Sequence, residues 1–177
     1  MTVKGIRNFQ QRVESLKKAL ARPVPVKIQA AAVRQFRANF KAQGFINNGV
    51  QPWRPRIAYK TMHLGKKADR LTLVDRALLI NSVRPLGQAS WGRIAVQAGG
   101  PHVPYAQIHN EGGTIRGTFR VRAHTRRTRK GKIVKVEPFS RRVNTTIPKR
   151  QFMGDSHELR MEARKIILQA IVDSLAK

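Results

Sequence analysis

Apolar residues near the start of the chain recur at helical intervals. Ile6, Phe9, Val13, Leu16 and Leu20 step by three and four, which places them on one face of an α-helix. Arg7, Arg12, Lys17 and Lys18 take the other positions. The spacing predicts a helix over 4–21, ended by Pro23 and Pro25, because proline lacks a backbone donor and restricts the residue before it. A lone amphipathic helix of this length is marginal in water, so it must dock on its own core or on a neighbouring subunit. A second helix is predicted over 26–43, with Val26, Val33, Phe36 and Phe40 on the buried face. Ala30, Ala31 and Ala32 favour helix, and Gly44 supplies the stop.

Periodicity fails over 45–67, where Asn47, Asn48, Gly49, Pro52, Pro55 and Gly65 mark a long loop of the kind that is usually functional or mobile. Trp53 is its expected anchor; flanked by Arg54 and Arg56, it also has the setting for stacking on a base. A third helix is expected over 73–83, with Thr72 as N-cap, Leu73, Ala77, Leu79 and Ile80 on its apolar side, and Pro85 at its end. Alternation predicts a strand over 91–98, with Ile94, Val96 and Ala98 on one face. Residues 103–110 form a short helix or turn, stopped by Gly112 and Gly113. Two further alternating stretches, 118–123 and 132–139, flank the tip 124–131 and predict a β-hairpin. The final helix has Asp155 as N-cap and Glu158 three residues on, a capping-box pattern. Its stripe of Leu159, Ala163, Ile166, Ile167, Ala170, Ile171 and Leu175 is expected to pack across the sheet.

Charge changes this picture. The chain of 177 residues carries 36 Lys and Arg against 9 Asp and Glu, a net charge of +27. A surplus of that size predicts a polyanionic partner: nucleic acid, an acidic protein surface or anionic lipid. It concentrates in the hairpin. Arg116, Arg120, Arg122, Arg126, Arg127, Arg129, Lys130, Lys132, Lys135, Arg141 and Arg142 face one acid, Glu137. The segment is expected to contact phosphates without sequence preference, to lie on an acidic protein, or to stay solvated. Only Phe119 and Phe139 are aromatic there, which argues against a single-strand binder.

Catalytic chemistry finds little support. There is no cysteine, which removes disulfides, thiol catalysis and thiolate-bound zinc. His102 and His109 sit near Glu111, but Pro104 interrupts any helix that would align them. A nuclease using His109 and Asn110 needs a second metal-binding histidine close by. Gly99 and Gly100 lack the lysine and spacing of a phosphate loop, and no serine sits in a nucleophile elbow. No catalytic, cofactor or metal residue is assigned. The first 20 residues lack the apolar core of a signal peptide, and no run reaches the roughly 20 apolar residues of a membrane span. A soluble protein made in the cytosol is expected.

Several pieces carry a resemblance when taken together: Trp53-Arg54-Pro55, the leucine-rich stretch 73–83, Tyr105-Ala-Gln-Ile-His-Asn-Glu-Gly-Gly113, and Ile147-Pro-Lys-Arg-Gln-Phe-Met-Gly154 before a final helix. From about residue 36 to the end, the chain resembles the phage virion morphogenesis family, the tail-completion proteins of tailed phages including Mu-like ones. It departs from that pattern at Asp75-Arg76, where a Thr-Gly is usual, and at Lys149 and Gln151.

The resemblance implies a small, mostly antiparallel sheet packed by helices; with the N-terminal helices and the protruding basic hairpin arm read from the residues, the expected class is α+β, and the arm is longer and more charged than the family pattern leads one to expect. The expected division is a helical segment 1–44 and a core 45–177 that includes the arm 114–146. It also implies a structural virion protein of the neck or tail that acts without cofactor or catalysis. Such proteins form rings, often of six copies, around the DNA channel, against neck, tail-tube or connector proteins. Trp53, Tyr105, His109, Gly112, Gly113, Pro148, Arg150, Phe152 and Gly154 are its family-motif positions, with Arg150 and Phe152 expected to fix the entry to the last helix. The rival expectation is a monomeric nucleic-acid-binding protein of ribosomal or architectural type.

Overall fold

A computed structural model describes residues 3–21, 23–55 and 71–176. Helices α1 (Val3–Ala21) and α2 (Pro23–Ala42) are followed by strands β1 (Gly44–Ile46) and β2 (Val50–Pro52). After 71 come α3 (Leu78–Ser82), β3 (Arg84–Pro85), β4 (Val96–Gln97) and α4 (Ala106–Glu111). Strands β5 (Gly113–Val121), β6 (His124–Arg127), β7 (Ile133–Val136) and β8 (Phe139–Ile147) precede α5 (His157–Leu175). The class is α+β. Among the described residues the strands form four antiparallel pairs, β1–β2, β3–β4, β5–β8 and β6–β7, with no common sheet.

Helix α2 is the centre of the packing. Its residues Ala32, Phe36 and Phe40 meet Trp53, Leu79, Val83, Val103, Ala106 and Phe152 in the main core. Val24 and Ile28, nearer its start, meet Ala170 of α5 in a second cluster, flanked by Leu20, Ala163, Ile166 and Ile167. Val26, expected on the buried face, is exposed. The difference follows from where the helix begins. Pro23 and Pro25 do not merely end α1; they occupy the first turn of α2, where a missing N–H costs nothing. The buried stripe therefore runs from Val24 through Ile28, Ala31, Ala32 and Phe36 to Phe40.

Four other expectations are corrected. The aperiodic stretch after Gly44 begins as the β1–β2 hairpin, turning at Asn48 and Gly49, which take positive φ of 51° and 105°; residues 56–67 of the expected loop lie outside the described residues. The third helix is short because Leu73 and Ala77 take left-handed backbone conformations, φ 64° and 57°, which no right-handed helix contains. Thr72 is not its N-cap. Its N–H donates to Gln43 Oε1 (2.6 Å) and its carbonyl accepts from Gln43 Nε2 (3.3 Å). The strand over 91–98 shrinks to β4, since its partner β3 ends in a proline and Ser90 and Arg93 close a tight bridge. The Ala95 carbonyl accepts instead from Leu86 N–H and Gln29 Nε2. Helix α5 packs on α1 and α2 rather than across a sheet. Its N-cap is Ser156, whose Oγ accepts from Leu159 N–H at 3.2 Å; Asp155 pairs with Arg160 at 3.4 Å.

Asn39 joins these parts. It is fully buried, donates from Nδ2 to the Phe152 carbonyl (3.0 Å) and accepts at Oδ1 from Ile46 N–H (3.1 Å). Asn39→Leu keeps the volume and orphans both backbone groups, each worth about 1–3 kcal/mol. The urea midpoint should fall accordingly with an unchanged slope. An unchanged midpoint would show that both groups find other partners.

Candidate functional site

The motif residues cluster at the root of the basic hairpin. Both of its strands meet the core there: β5 leaves α4 through Gly112 and Gly113, and β8 runs through Pro148 into 150–153. That second segment has no regular secondary structure, so its buried backbone groups need side-chain partners. Asn110 Oδ1 accepts from the N–H of both Phe152 (3.0 Å) and Met153 (2.9 Å). Trp53 Nε1 donates to the Gln151 carbonyl at 2.8 Å. The Arg150 N–H donates to the His109 carbonyl at 2.8 Å, and Arg150 Nε donates to the Arg54 carbonyl at 3.1 Å. Phe152 is buried with its ring centroid 5.0 Å from Phe40, and Phe40 meets Trp53 edge-on at 5.6 Å. At Gly112, φ is +77° and a Cβ would lie 2.9 Å from the Lys149 nitrogen. Only glycine lets α4 turn so close to the strand returning from β8.

Trp53, His109, Gly112, Arg150 and Phe152 thus come together, and Tyr105 packs edge-on against the His109 ring at 5.7 Å. Gly113, Pro148 and Gly154 lie on the connecting segments. Trp53 is buried in the core, a placement that leaves its face no room to stack on a base. Sequence reasoning missed the structural parts of Asn39 and Asn110, the latter weighed only beside His109 as a nuclease residue. The only sequence sign of Asn39 is a polar residue interrupting the apolar stripe beside Phe36 and Phe40. Asn110 sits just before the glycine pair, with nothing local to mark what it holds.

His109 is half-buried against Tyr105 and Arg150, and its Nδ1 is enclosed without a hydrogen-bond partner among the described residues. Burial, and secondarily the Arg150 charge, push its pKa below 6.5. A cavity of about 270 Å³ opens beside it, lined in part by Leu73, Asp75, Leu79, Tyr105 and Arg150. Among the described residues no three His, Asp or Glu side chains converge as metal ligands.

The hairpin itself is one ribbon. The β5–β8 register pairs Gly113 with Ile147 through Val121 with Phe139, and β6–β7 continues it from His124–Val136 to Arg127–Ile133. The predicted strands 118–123 and 132–139 were too short at the root and ran through the break. Regular pairing lapses at 122–123, opposite Glu137 and Pro138, where the proline offers no donor. The tip tightens to 128–132. There Thr128 N–H bonds the Lys132 carbonyl and Gly131 N–H bonds Thr128, with Gly131 at φ 82°.

Facing residues in an antiparallel pair share one side, so the register sorts the root of the ribbon into two faces. One carries Arg116, Arg120 and Arg142 among Thr118, Ser140 and Asn144. The other carries Ile115, Phe119, Val121, Phe139, Val143 and Ile147, with Arg141 its one charge. No residue of either root strand is fully buried. Lys135 pairs with Glu137 at 3.4 Å; among the described residues the other ten hairpin cations have no carboxylate partner.

The His109 shift sets a pH dependence. With its folded pKa depressed below the unfolded one, the neutral form is favoured by folding. That stability is fully present above pH 6.5 and is lost as pH falls from there toward the folded pKa. Urea midpoints at pH 7.5 and 5.5 should therefore differ more in the native chain than in His109→Gln. An equal drop in both would assign the dependence to other groups.

The comparisons with known proteins agree with the resemblance. No curated protein and no solved structure matches the chain. The model of the phage virion morphogenesis family matches residues 3–172 of 177, spanning α1, the core, the clamped root, the ribbon and nearly all of α5. The chain belongs to the phage virion morphogenesis family.

Proposed function

We propose that this virion-assembly protein completes or joins the phage tail at the neck, as a homo-oligomeric ring around the DNA channel and without catalysis of its own. The observation that carries the reading is the bare apolar face of the ribbon root, where Ile115, Phe119 and Phe139 are 37%, 54% and 47% exposed. A two-stranded ribbon is marginal in water unless something packs on it. A second apolar patch lies at the start of α1, where Ile6 and Phe9 are 45% and 68% exposed, although Leu20 near the other end of that helix packs on α2 and α5. Two different patches on one chain suit a heterologous contact, in which one subunit's surface meets another surface on the next; a rotation that closes makes a ring. Family membership supports the virion role, and no helix among the described residues is long and apolar enough to cross a membrane. A monomeric nucleic-acid binder would account for the charge and leave both apolar patches uncovered.

Light scattering on the purified chain should give a mass that is a multiple of 20.0 kDa. Phe119→Ser with Phe139→Ser should return it to the single-chain mass while circular dichroism keeps its helical signal. A reconstruction of the particle neck that accounts for all density without this chain would overturn the reading.

A further inference from the structure

We propose that the polar face of the ribbon root binds the phosphate backbone of double-stranded DNA. The inference stands on the register and does not require the ring. Strands β5 and β8 contain no acidic residue at all. Their polar face places Arg116 and Arg120 on one strand, roughly 14 Å apart at the rise of an extended chain, with Arg142 on the facing strand beside Thr118. Thr118, Ser140 and Asn144 fill the spaces between. Arginine with hydroxyl and amide side chains is the set that contacts phosphate oxygens. Beyond the root the cations no longer share one face, with Arg126 opposite Val134 and Arg127 opposite Ile133 on the other side, while Arg129 and Lys130 lie in the turn; none of the four pairs with a carboxylate among the described residues.

The division between the faces selects the partner class. A protein interface needs an apolar core with charge kept to the rim, and this face has no apolar side chain to supply one. Every apolar residue of the root strands lies on the opposite face. A partner matched to cations and hydroxyls alone, repeated along an extended ribbon, is a polyanion of regular charge. Single strands bind on aromatic platforms, but Phe119 and Phe139 also point away from the basic face. Duplex DNA fits: its phosphates recur along the helix, and its major groove, about 12 Å wide, admits a two-stranded ribbon.

Fluorescence anisotropy with a short labelled duplex of mixed sequence, from about 50 to about 200 mM salt, tests this. The full-length chain is compared with Arg116→Ala/Arg120→Ala/Arg142→Ala and with Arg34→Ala/Arg164→Ala/Lys165→Ala. The second triple variant removes the same charge from exposed helix positions. The ribbon variant should lose about tenfold or more in affinity, and the slope of log affinity against log salt should fall by about 2.7, or 0.9 for each lost phosphate contact. The helix variant should change by less than about threefold in affinity. Equal losses in both variants would reduce the effect to net charge and overturn the proposal. So would a ribbon variant that holds duplex as the native chain does but loses polyglutamate, because the face would then serve an acidic protein. Unchanged light-scattering mass in the ribbon variant keeps a failure here separate from a failure of the ring.

Discussion

Residues 150–153 cross the interior of this protein as backbone without helix or strand, and the ribbon root and α5 are both set by them. A buried peptide group without a partner costs as much as several good contacts return. Asn110 therefore holds two N–H groups, Trp53 and Asn39 each hold a carbonyl, and the His109 carbonyl holds the Arg150 N–H. These partners come from α2, the segment after β2, and α4. The clamp thus fixes the ribbon root and the entry to α5 relative to the core at once. Phe152 adds the packing term by seating its ring against Phe40. The hydrogen bonds make the path of the segment unique; the aromatic cluster makes it stable.

A clamp of that kind draws its parts from two separated pieces of the chain. The Tyr105–Gly113 piece supplies Asn110, the His109 carbonyl and the close turn at Gly112. The Ile147–Gly154 piece supplies the backbone they receive. Neither makes the joint alone, and the ribbon between them supplies none of these hydrogen bonds. A long, highly charged ribbon needs such a rigid root, because its ten cations that lack a carboxylate partner among the described residues repel one another.

Sequence periodicity captured the elements whose burial is one-sided. The first, second and last helices lie within a few residues of their predicted bounds because their apolar stripes are long. Val26 departs from its predicted stripe, because prolines that end one helix can also occupy the first turn of the next. The third helix and the 91–98 strand failed for a different reason. The left-handed Leu73 and Ala77 cut the helix short, and Pro85 with the Ser90–Arg93 bridge cut the strand; Gln43 on Thr72 and Gln29 on Ala95 then hold both segments, and no local pattern encodes a partner 29 or 66 residues away. The same limit hid Asn39 and Asn110. A buried asparagine looks in sequence like any surface asparagine; only the carbonyl or N–H it satisfies reveals it.

The two faces of the ribbon resolve a conflict that net charge alone would pose. A chain at +27 resists meeting its own copies, and at physiological ionic strength that repulsion is screened only beyond about 8 Å. Self-association through a mixed apolar and cationic surface would set burial against repulsion at every contact. Here the alternation of the β-strand separates them. The apolar side chains leave one face and, apart from Arg141, the root cations leave the other, a full ribbon thickness away. In the ring we propose, subunits meet through the first face while the second is turned from the contact. A polyanion on that second face then lowers the repulsion the subunits feel across the first. Binding of DNA and closure of the ring become favourable together, although no residue takes part in both.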